Sequence, residues 1–423
     1  MNNSQAKRAE VVSWLYVAVA VAIIFATVFY ARVLRDVISQ WASDDIYTVL
    51  AFVGVGTIVL VSIFLLAKAG RRSLASYLWL AIVFAIFGGY VIAEINVPIE
   101  ALHFVEYGLL GILLYRALSH RISDRSIYLS VAMLGAVVGI VDEFVQWAVP
   151  GRFWGIHDIW IDFFAVLLTQ LGIAKGINPA ATAAAPTAHG LQWLCRTSLL
   201  AVILLGASTL NTPNVVAWYG DRVGVLAFLK QNTSTMFEFG YLHEDSSIGQ
   251  FNSRFSLGDL RQTDQRRGKA AAAIVDRYPN RDLYRDFLKI YTPMTDPFVH
   301  EVGVRFAHRD NHLRVLSDFF DKLDEFGRAR HATIGYRENQ ILKAYYPETL
   351  KLSNRAVPPE KLALARANMD TDTAYFSWVS KTLVTSMSKP TLAIIFVLLA
   401  GGLLVLERYF ASRHRKILAH PND

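Results

Sequence analysis

"IYLSVAMLGAVVGIVDEFVQWAV" (residues 127–149) joins an apolar run of membrane length to three polar residues near its end. A helix needs roughly 20 mostly apolar residues to cross about 30 Å of hydrocarbon. Asp142, Glu143 and Gln146 nevertheless arrive together just before Pro150 and Gly151. Ionisable side chains inside a membrane are costly, so they tend to pair or to line a polar cavity. The stretch therefore predicts a membrane helix that contributes one end to a polar site.

The composition predicts an all-α membrane protein with one water-soluble insert. Only 18% of the 423 residues are charged, against about 25% in soluble proteins. The apolar excess lies in residues 1–210, whereas residues 211–388 have an ordinary charge density. Cys195 is the single cysteine, so no intrachain disulfide can form and the insert must fold by packing alone.

Eight stretches have the length and apolar character of membrane spans. They are Val11–Tyr30, Ile46–Ala67, Leu74–Ala93, Ala101–Leu118, Ile127–Val149, Ile156–Ala174, Leu191–Leu210 and Pro390–Leu406. The first follows Lys7 and Arg8 as a secretory signal would, but its apolar core is too long and no small-residue cleavage site follows. We therefore expect it to be retained as an anchor.

Basic residues in short loops predict that both termini lie in the cytoplasm. That orientation places the segments 68–72, 116–125 and 413–416, all rich in Lys or Arg, on the inner side. Arg32 and Arg35 fall outside, in a loop that also contains Asp36, Asp44 and Asp45. The net charge of +7 is spread over these loops and the tail, which argues against nucleic acid as a partner and leaves the lipid bilayer.

The predicted divisions of the chain follow from these spans. They are 1–73 for an N-terminal two-span module, 74–177 for a four-span domain, 178–190 for a flexible cytoplasmic linker, 191–210 for the seventh span, 211–388 for an extracytoplasmic, mainly helical domain, 389–408 for the eighth span and 409–423 for a basic cytoplasmic tail.

Polar residues of three predicted spans fall at one membrane depth, near the outer surface. Span four begins outside with His103, Glu106 and Tyr107, span five ends outside with Asp142, Glu143 and Gln146, and span six begins outside with His157, Asp158 and Asp162. Asp142 and Gln146 are four residues apart and share a helix face, as do Asp158 and Asp162. The pattern predicts an acidic pocket that opens outward, with His103, His157 and Arg152 as its cations.

Three blocks of sequence resemble the VanZ-like membrane family. They are "LHFVEYGLLGILLYRAL" (102–118), "DEFVQWAVPGR" (142–152) and "DIWIDFFAVLL" (158–168), and the resemblance covers roughly residues 75–175. The positions that match the family pattern are His103, Phe104, Tyr107, Glu143, Gln146, Arg152 and Asp158. Asp162 stands where the family usually has Asn, and Ala165 where it often has Gly.

The resemblance implies a bacterial cell-envelope protein of the cytoplasmic (inner) membrane, since the founding member is linked to teicoplanin, a glycopeptide antibiotic. Our first hypothesis is that the pocket binds a lipid-linked cell-wall or polysaccharide precursor, or a similar glycan-like ligand, in an accessory or resistance role. An enzyme is the main alternative, with Glu143 or Asp142 as general acid or base and His103 or His157 as its partner. A proton-coupled transporter is a third reading, although the middles of the first three spans carry no ionisable residue. A purely structural network of polar residues between helices also stays open.

The insert is predicted to be mainly helical, with helices near 257–278, 281–291, 310–326, 334–346, 360–367 and 374–387, after an opening segment that forms a hairpin or an irregular loop. His300, His308 and His312 are weak candidates for a metal site, because His308 and His312 are one helical turn apart. The motif His-Glu-x-x-His is absent, since Val304 occupies its last position. Ordinary packed or solvated histidines are the favoured interpretation, and no cofactor is predicted.

Overall fold

A computed structural model describes residues 3–41, 73–93, 98–149 and 151–419, with isolated positions between 49 and 64. Internal contacts divide the chain into two units, Met1–Ala207 with Ile394–Asp423 (unit 1) and Ser208–Ala393 (unit 2). Most of the predicted span Ile46–Ala67 lies outside the described residues, as do Pro150 and the side chains of residues 31–41 and 98–102.

Long apolar helices form unit 1. They are α1 (Asn3–Trp41), α2 (Leu74–Ala93), α3 (Pro98–Leu118), α4 (Ser126–Ala148), α5 (Ile156–Leu171), which continues into a π-helical turn (Gly172–Ile177), and α6 (Ala188–Leu210), with α14 (Lys389–Ala419) near the C-terminus. A 3₁₀ turn covers Ala180–Thr182.

Among the described residues, five helical segments are long and apolar enough to cross a membrane: Ser4–Tyr30, Ser126–Ala148, Ile156–Ile177, Ala188–Leu210 and Lys389–Ala419. Leu74–Tyr90 is a shorter apolar helix. The predicted all-α, membrane-associated class is therefore confirmed, and five of the predicted spans coincide with these five segments.

Glycines let α3, α4 and α5 approach closely, as small residues do between membrane helices. A Cβ atom on Gly135 of α4 would lie 2.7 Å from Cγ2 of Val166 on α5. Gln170 of α5 donates a hydrogen bond of 3.0 Å to the carbonyl oxygen of Gly111 on α3. The three helices consequently pack at a fixed register, which decides which polar residues meet at their ends.

The segment predicted to be a flexible linker makes specific contacts with the loop before α4. Asp124 is 2% exposed and accepts hydrogen bonds from the backbone and hydroxyl groups of both Ser126 and Thr187. The hydroxyl of Thr182 lies 3.0 Å from that of Tyr115 and 2.9 Å from that of Tyr128. These bonds fix residues 182–187 against α3 and α4.

Short helices and one hairpin form unit 2. The elements are α7 (Pro213–Arg222), a 3₁₀ segment (Gly224–Gln231), β1 (Tyr241–Asp245), β2 (Gly249–Ser253), α8 (Leu257–Val275), α9 (Arg281–Ile290), α10 (Pro297–Asp318), a 3₁₀ turn (Phe320–Lys322), α11 (Glu325–Tyr345), α12 (Pro347–Leu352) and α13 (Pro359–Asn368). β1 and β2 are antiparallel, with Tyr241 opposite Ser253.

Side-chain caps explain where four of these helices begin. Ser256, Asn280, Asp296 and Asp324 each accept a hydrogen bond from the backbone N–H three residues later. Each bond satisfies one of the N–H groups that the first turn of a helix leaves without a partner. A Ser followed three residues later by Asp, as at Ser256 and Asp259, is the sequence signature of such a cap. The helix predicted near 310–326 belongs to α10, which begins at Pro297 and ends at Asp318, because proline is compatible with the first helical turn that Asp296 caps.

The segment 374–387 is not helical, which corrects the sequence-based prediction. It runs extended beside the hairpin, so that Gln250 donates its backbone N–H to the carbonyl of Tyr375 and accepts from the N–H of Ser377. Gly249 makes the approach possible: its φ is +119°, and a Cβ there would lie 2.3 Å from the oxygen of Tyr375. Pairing with the sheet edge therefore outweighs the local helical pattern.

Candidate functional site

The polar residues predicted to converge do so at one end of three helices of unit 1. α3 carries His103, Glu106 and Tyr107 near its start, α4 carries Asp142, Glu143 and Gln146 near its end, and α5 carries Asp158 and Asp162 near its start. Because α4 runs antiparallel to the other two, its last turns lie beside their first turns. We call these eight residues, with Arg152, the acidic site.

Gln146 is the centre of the hydrogen-bond network in the acidic site. Its Nε2 donates to Oε1 of Glu143 at 2.7 Å and to Oδ2 of Asp142 at 3.2 Å. Its Oε1 accepts from Nη2 of Arg152 at 2.9 Å. The amide therefore connects the two carboxyl groups of α4 to the guanidinium, and Arg152 makes no hydrogen bond with a carboxylate among the described residues.

The loop between α4 and α5 contributes a backbone N–H group to the site. The backbone N–H of Gly155 donates to Oε2 of Glu143 at 2.6 Å, so both oxygens of that buried carboxyl group are hydrogen-bonded. Gly151 has a φ of +76°, a conformation that glycine adopts at little cost. A Cβ on Gly155 would lie 2.7 Å from Oδ2 of Asp158. Both glycines thus permit the tight loop that places Arg152 and Asp158 in the site.

Asp162 joins the α3 residues to those of α4. Its Oδ1 lies 4.0 Å from Nδ1 of His103, whose side chain is 20% exposed. The ring of His103 stacks on that of Tyr107, with centroids 6.0 Å apart. A Cβ on Gly139 of α4 would lie 2.8 Å from Oδ2 of Asp162. Only glycine at position 139 therefore leaves room for this carboxylate between the two helices.

Carboxyl groups outnumber cations in the acidic site. Asp142, Glu143 and Asp162 are almost completely buried, and Glu106 and Asp158 are close enough to Asp142 to interact with it electrostatically. Arg152 is the guanidinium of the site among the described residues, and it interacts electrostatically with Asp142, Glu143 and Asp158. His157 lies exposed beside Asp158 at the rim, so it is peripheral to the arrangement that was predicted to include it.

Three buried polar atoms of the site have no hydrogen-bond partner in the described part of the chain: the hydroxyl of Tyr107, Oδ1 of Asp142 and Nε of Arg152. The Tyr107 hydroxyl faces the carboxyl group of Asp162 without reaching hydrogen-bond geometry. Buried polar groups are normally satisfied, so each exception needs an explanation such as a ligand, a water or an ion. A polar group that enters the site would meet one carboxylate acceptor, one hydroxyl and one guanidinium N–H donor.

The weak metal candidates His300, His308 and His312 belong to unit 2. Within the ranges that the structure covers, no three His, Cys, Asp or Glu side chains are grouped as a metal site. Nδ1 of His300 is hydrogen-bonded to the carbonyl of Tyr291 at 2.7 Å, and burial with the nearby Arg254 lowers the pKa of His300 to about 4. The ring of His308 packs against His312, and that of His312 against His331 of α11, with centroids 5.1 and 4.7 Å apart and the rings tilted by 39° in both pairs. The three rings pack as part of the α10–α11 contact.

The sequence did not reveal Gly139 and Gly155, which shape the acidic site, or His331, which packs against His312. Gly139 and Gly155 stand in ordinary apolar or loop surroundings, and only helix packing reveals what they admit. His331 lies on a different helix from His308 and His312, so no spacing along the chain could join it to them. The "GRFWG" loop was the available signal for Gly155, because two glycines within five residues indicate a tight turn.

Comparison with known proteins gives no relative: no family model, no curated protein and no solved structure matches this chain.

Proposed function

We propose that this chain is a VanZ-like integral membrane protein of the bacterial cell envelope, whose acidic site binds the head group of a lipid-linked or glycan-like ligand in an accessory or resistance role. The observation that carries the proposal is the convergence of five carboxyl groups on one guanidinium, with the buried Oδ1 of Asp142 left without a partner among the described residues. That excess of carboxyl oxygens suits a ligand that donates hydrogen bonds.

The chemistry of the site favours a ligand rich in hydrogen-bond donors. Carboxyl oxygens accept hydrogen bonds, so a hydroxyl or ammonium group on the ligand would complement Oδ1 of Asp142 and the carboxyl group of Asp162. Sugar and amino-sugar head groups present such donors. A lipid anchor would let the head group reach the site from the outer leaflet without leaving the membrane.

In the arrangement that we propose, eight spans place both termini in the cytoplasm and residues 211–388 outside. The distribution of basic loops supports this orientation, as does the basic C-terminal end of α14, which carries Arg413, Arg415 and Lys416. The acidic site then opens at the outer leaflet of the cytoplasmic membrane, where lipid-linked envelope precursors are exposed.

Lipid co-purification tests the proposal. The full chain is extracted in polymer nanodiscs with its surrounding lipids, and the retained lipids are identified by mass spectrometry. We expect enrichment of a lipid with a hydroxyl- or amine-bearing head group over the bulk membrane. Gly139→Ala should abolish the enrichment, because the added methyl group displaces the Asp162 carboxylate.

The matched control is Gly89→Ala on α2, where an added Cβ meets no atom within 4 Å. It should retain the lipid at the level of the unchanged protein. The proposal is contradicted if Gly139→Ala retains the same lipids as Gly89→Ala, or if the unchanged protein holds only the bulk mixture. Monodisperse elution of both variants excludes misfolding as the cause.

An enzyme acting on a lipid-anchored envelope substrate is the second candidate, favoured by the 4.0 Å approach of His103 and Asp162. A carboxyl group beside an imidazole is an arrangement that general acid–base catalysis uses. Glu143 would supply the second acid or base, so the step would be hydrolysis or group transfer at the head group. Purified protein should then turn over labelled envelope lipids, and Glu143→Gln should abolish turnover while retaining bound lipid. Binding without turnover by the unchanged protein would leave only the first function.

A further inference from the structure

Unit 2 contains an open cleft of about 850 Å³ between the start of α9 and one face of α10. The segment from Tyr278 to Tyr284 forms one wall, and Arg355, which follows α12, closes one end. The opposite wall consists of residues 307, 308, 311, 314 and 315 of α10, whose spacing places them on a single helix face. We call this space the α9–α10 cleft. It has the size of a typical small-molecule site.

Guanidinium groups determine the charge of the cleft. Asp310 is bound on both sides, by Arg355 and by Nε of Arg309 at 2.7 Å, so it is neutralised within the protein. Arg281 makes no hydrogen bond or ion pair with any residue that the structure describes. Arg314 donates to Asn311 and lies 4.0 Å from Asp318, with half of its side chain exposed. The cleft therefore presents two accessible guanidinium groups and one exposed carboxylate, that of Asp282.

Aromatic and amide side chains line the remainder of the cleft. The ring of Tyr284 is half-buried and stacks on Phe287 with an interplanar angle of 15°. Burial raises the pKa of Tyr284 to about 12, which keeps its hydroxyl protonated as a donor. Asn280 uses its Oδ1 to cap α9 and retains its amide N–H groups. Asn311 adds a second amide on the facing helix.

We propose that the α9–α10 cleft binds an acidic saccharide, that is, a sugar that carries a carboxylate or phosphate group. Arg281 and Arg314 would hold the anionic group, because guanidinium matches the geometry of carboxylate and phosphate oxygens. The face of Tyr284 would stack on the sugar ring, and the amides of Asn280 and Asn311 would bond its hydroxyl groups. A wholly apolar ligand would leave these polar groups unpaired, which costs free energy. The inference concerns unit 2 alone and does not depend on ligand binding at the acidic site.

Isothermal titration of the full-length protein in detergent tests the cleft with two matched pairs of probes. One pair is digalacturonate and its dimethyl ester, and the other is N-acetylglucosamine 1-phosphate and N-acetylglucosamine. We expect at least one acidic probe to bind with a dissociation constant below 1 mM, a value typical of a weak, specific site. Its neutral counterpart should bind at least tenfold more weakly.

Arg281→Gln combined with Arg314→Gln should weaken the acidic probe at least tenfold, whereas Arg285→Gln, an exposed arginine one turn along α9, should leave it unchanged. All three residues are exposed, so the variants should stay folded. The proposal is overturned if neither acidic probe binds, if the neutral probes bind equally well, or if Arg285→Gln has the same effect as the double substitution. Inorganic phosphate binding as tightly as the acidic sugar would also overturn it, because that would be an anion site without sugar recognition.

Discussion

Buried carboxyl groups are paired with guanidinium groups in unit 2 and outnumber them in unit 1. In unit 2, Arg305 is fully buried between Glu301 of its own helix and Glu338 of α11, at 3.7 and 3.2 Å. In the acidic site of unit 1, Arg152 lies among five carboxyl groups and bonds only the amide of Gln146 among the described residues. Each arrangement leaves a buried polar atom without a partner in the described part of the chain, Nε of Arg305 in the first and Oδ1 of Asp142 in the second, so the ratio of acids to cations is what separates them.

In unit 2, the carboxylate oxygens beside Arg305 also accept hydrogen bonds from hydroxyl and backbone groups. Oε1 of Glu338 accepts from the hydroxyl groups of Tyr375 and Ser377, at 2.8 and 2.5 Å. Glu301 accepts from the hydroxyl of Tyr346 at 2.7 Å and from the backbone of Arg254 at 3.0 Å. Burial alone would raise the pKa of Glu301, but Arg305 and Arg254 hold it below its usual value. Hydrogen bonds and nearby guanidinium groups together hold both carboxyl groups of this network in place.

Breaking the balance in unit 2 should have the largest effect. Arg305→Met leaves Glu301 and Glu338 buried without their common cation, so the free energy of unfolding of unit 2 should fall by about 3–5 kcal/mol. Hydrogen exchange of α10 and α11 amides in the full chain measures this change. Arg277→Met, at an exposed position after α8, should change the exchange by less than about 0.5 kcal/mol. Equal losses in the two variants would contradict a central role for Arg305.

Acid should lower the free energy of unfolding of unit 2, because His308, His312 and His331 pack against one another between α10 and α11. Burial, with His308, His331 and Arg330 nearby, lowers the pKa of His312 to about 3, and burial also lowers the pKa values of His308, which faces Glu338 and Arg305, and of His331. The unfolded chain, with histidine near pH 6.5, binds more protons than the folded one. Stability is therefore complete above pH 6.5 and falls as the pH decreases towards 3.

Hydrogen exchange of α10 and α11 between pH 7.5 and pH 5, corrected for the intrinsic exchange rate, measures the slope of stability against pH. His312→Gln and His312→Phe should both reduce it, because each removes the titrating group while their packing differs. An undiminished slope in both variants would place the acid sensitivity elsewhere in the chain.

Loss of a helix cap should have a smaller effect, since it removes one exposed bond and no buried charge. The Ser256 hydroxyl accepts from the backbone of Asp259 at 3.2 Å and donates to its carboxylate at 2.7 Å. Ser256→Ala should lower the stability of unit 2 by about 1 kcal/mol, and Ser256→Asp, which can still cap, should lower it less. Exchange in the first turns of α8 reports the difference. Identical results for both substitutions would show that this cap contributes little.

Replacing one acid in unit 1 should have the smallest effect on stability. Asp142→Asn removes a buried carboxyl group for which the described residues supply no directly bonded cation, so the free energy of unfolding of the protein in nanodiscs should change by less than about 1 kcal/mol or rise. Asp124→Asn is the control, because Asp124 accepts four hydrogen bonds and should lose stability. A marked loss in Asp142→Asn would mean that the acidic site is as complete as the unit 2 network.

The sequence predicted the helices of unit 1 well, because length and hydropathy decide them before any packing. It also predicted which of their ends carry polar residues, since antiparallel spans place those ends at one level. It failed at segment 374–387, whose helical pattern is overridden by backbone pairing with Gln250. Local propensity gives way there because the edge of a two-stranded hairpin offers bonds that an isolated helix cannot match.

Composition and periodicity by themselves determined that this is an all-α, membrane-associated chain with a charged insert, because apolar length and helical spacing are properties of neighbouring residues. Tertiary structure alone decided that Gln146 bridges Asp142 and Glu143 to Arg152, and that Gly139 admits Asp162. It also decided that Arg305 lies between two buried carboxyl groups, whereas five carboxyl groups of the acidic site share one guanidinium. Pairing between charges depends on the rotation and register of packed helices, and no spacing along a single chain segment specifies these.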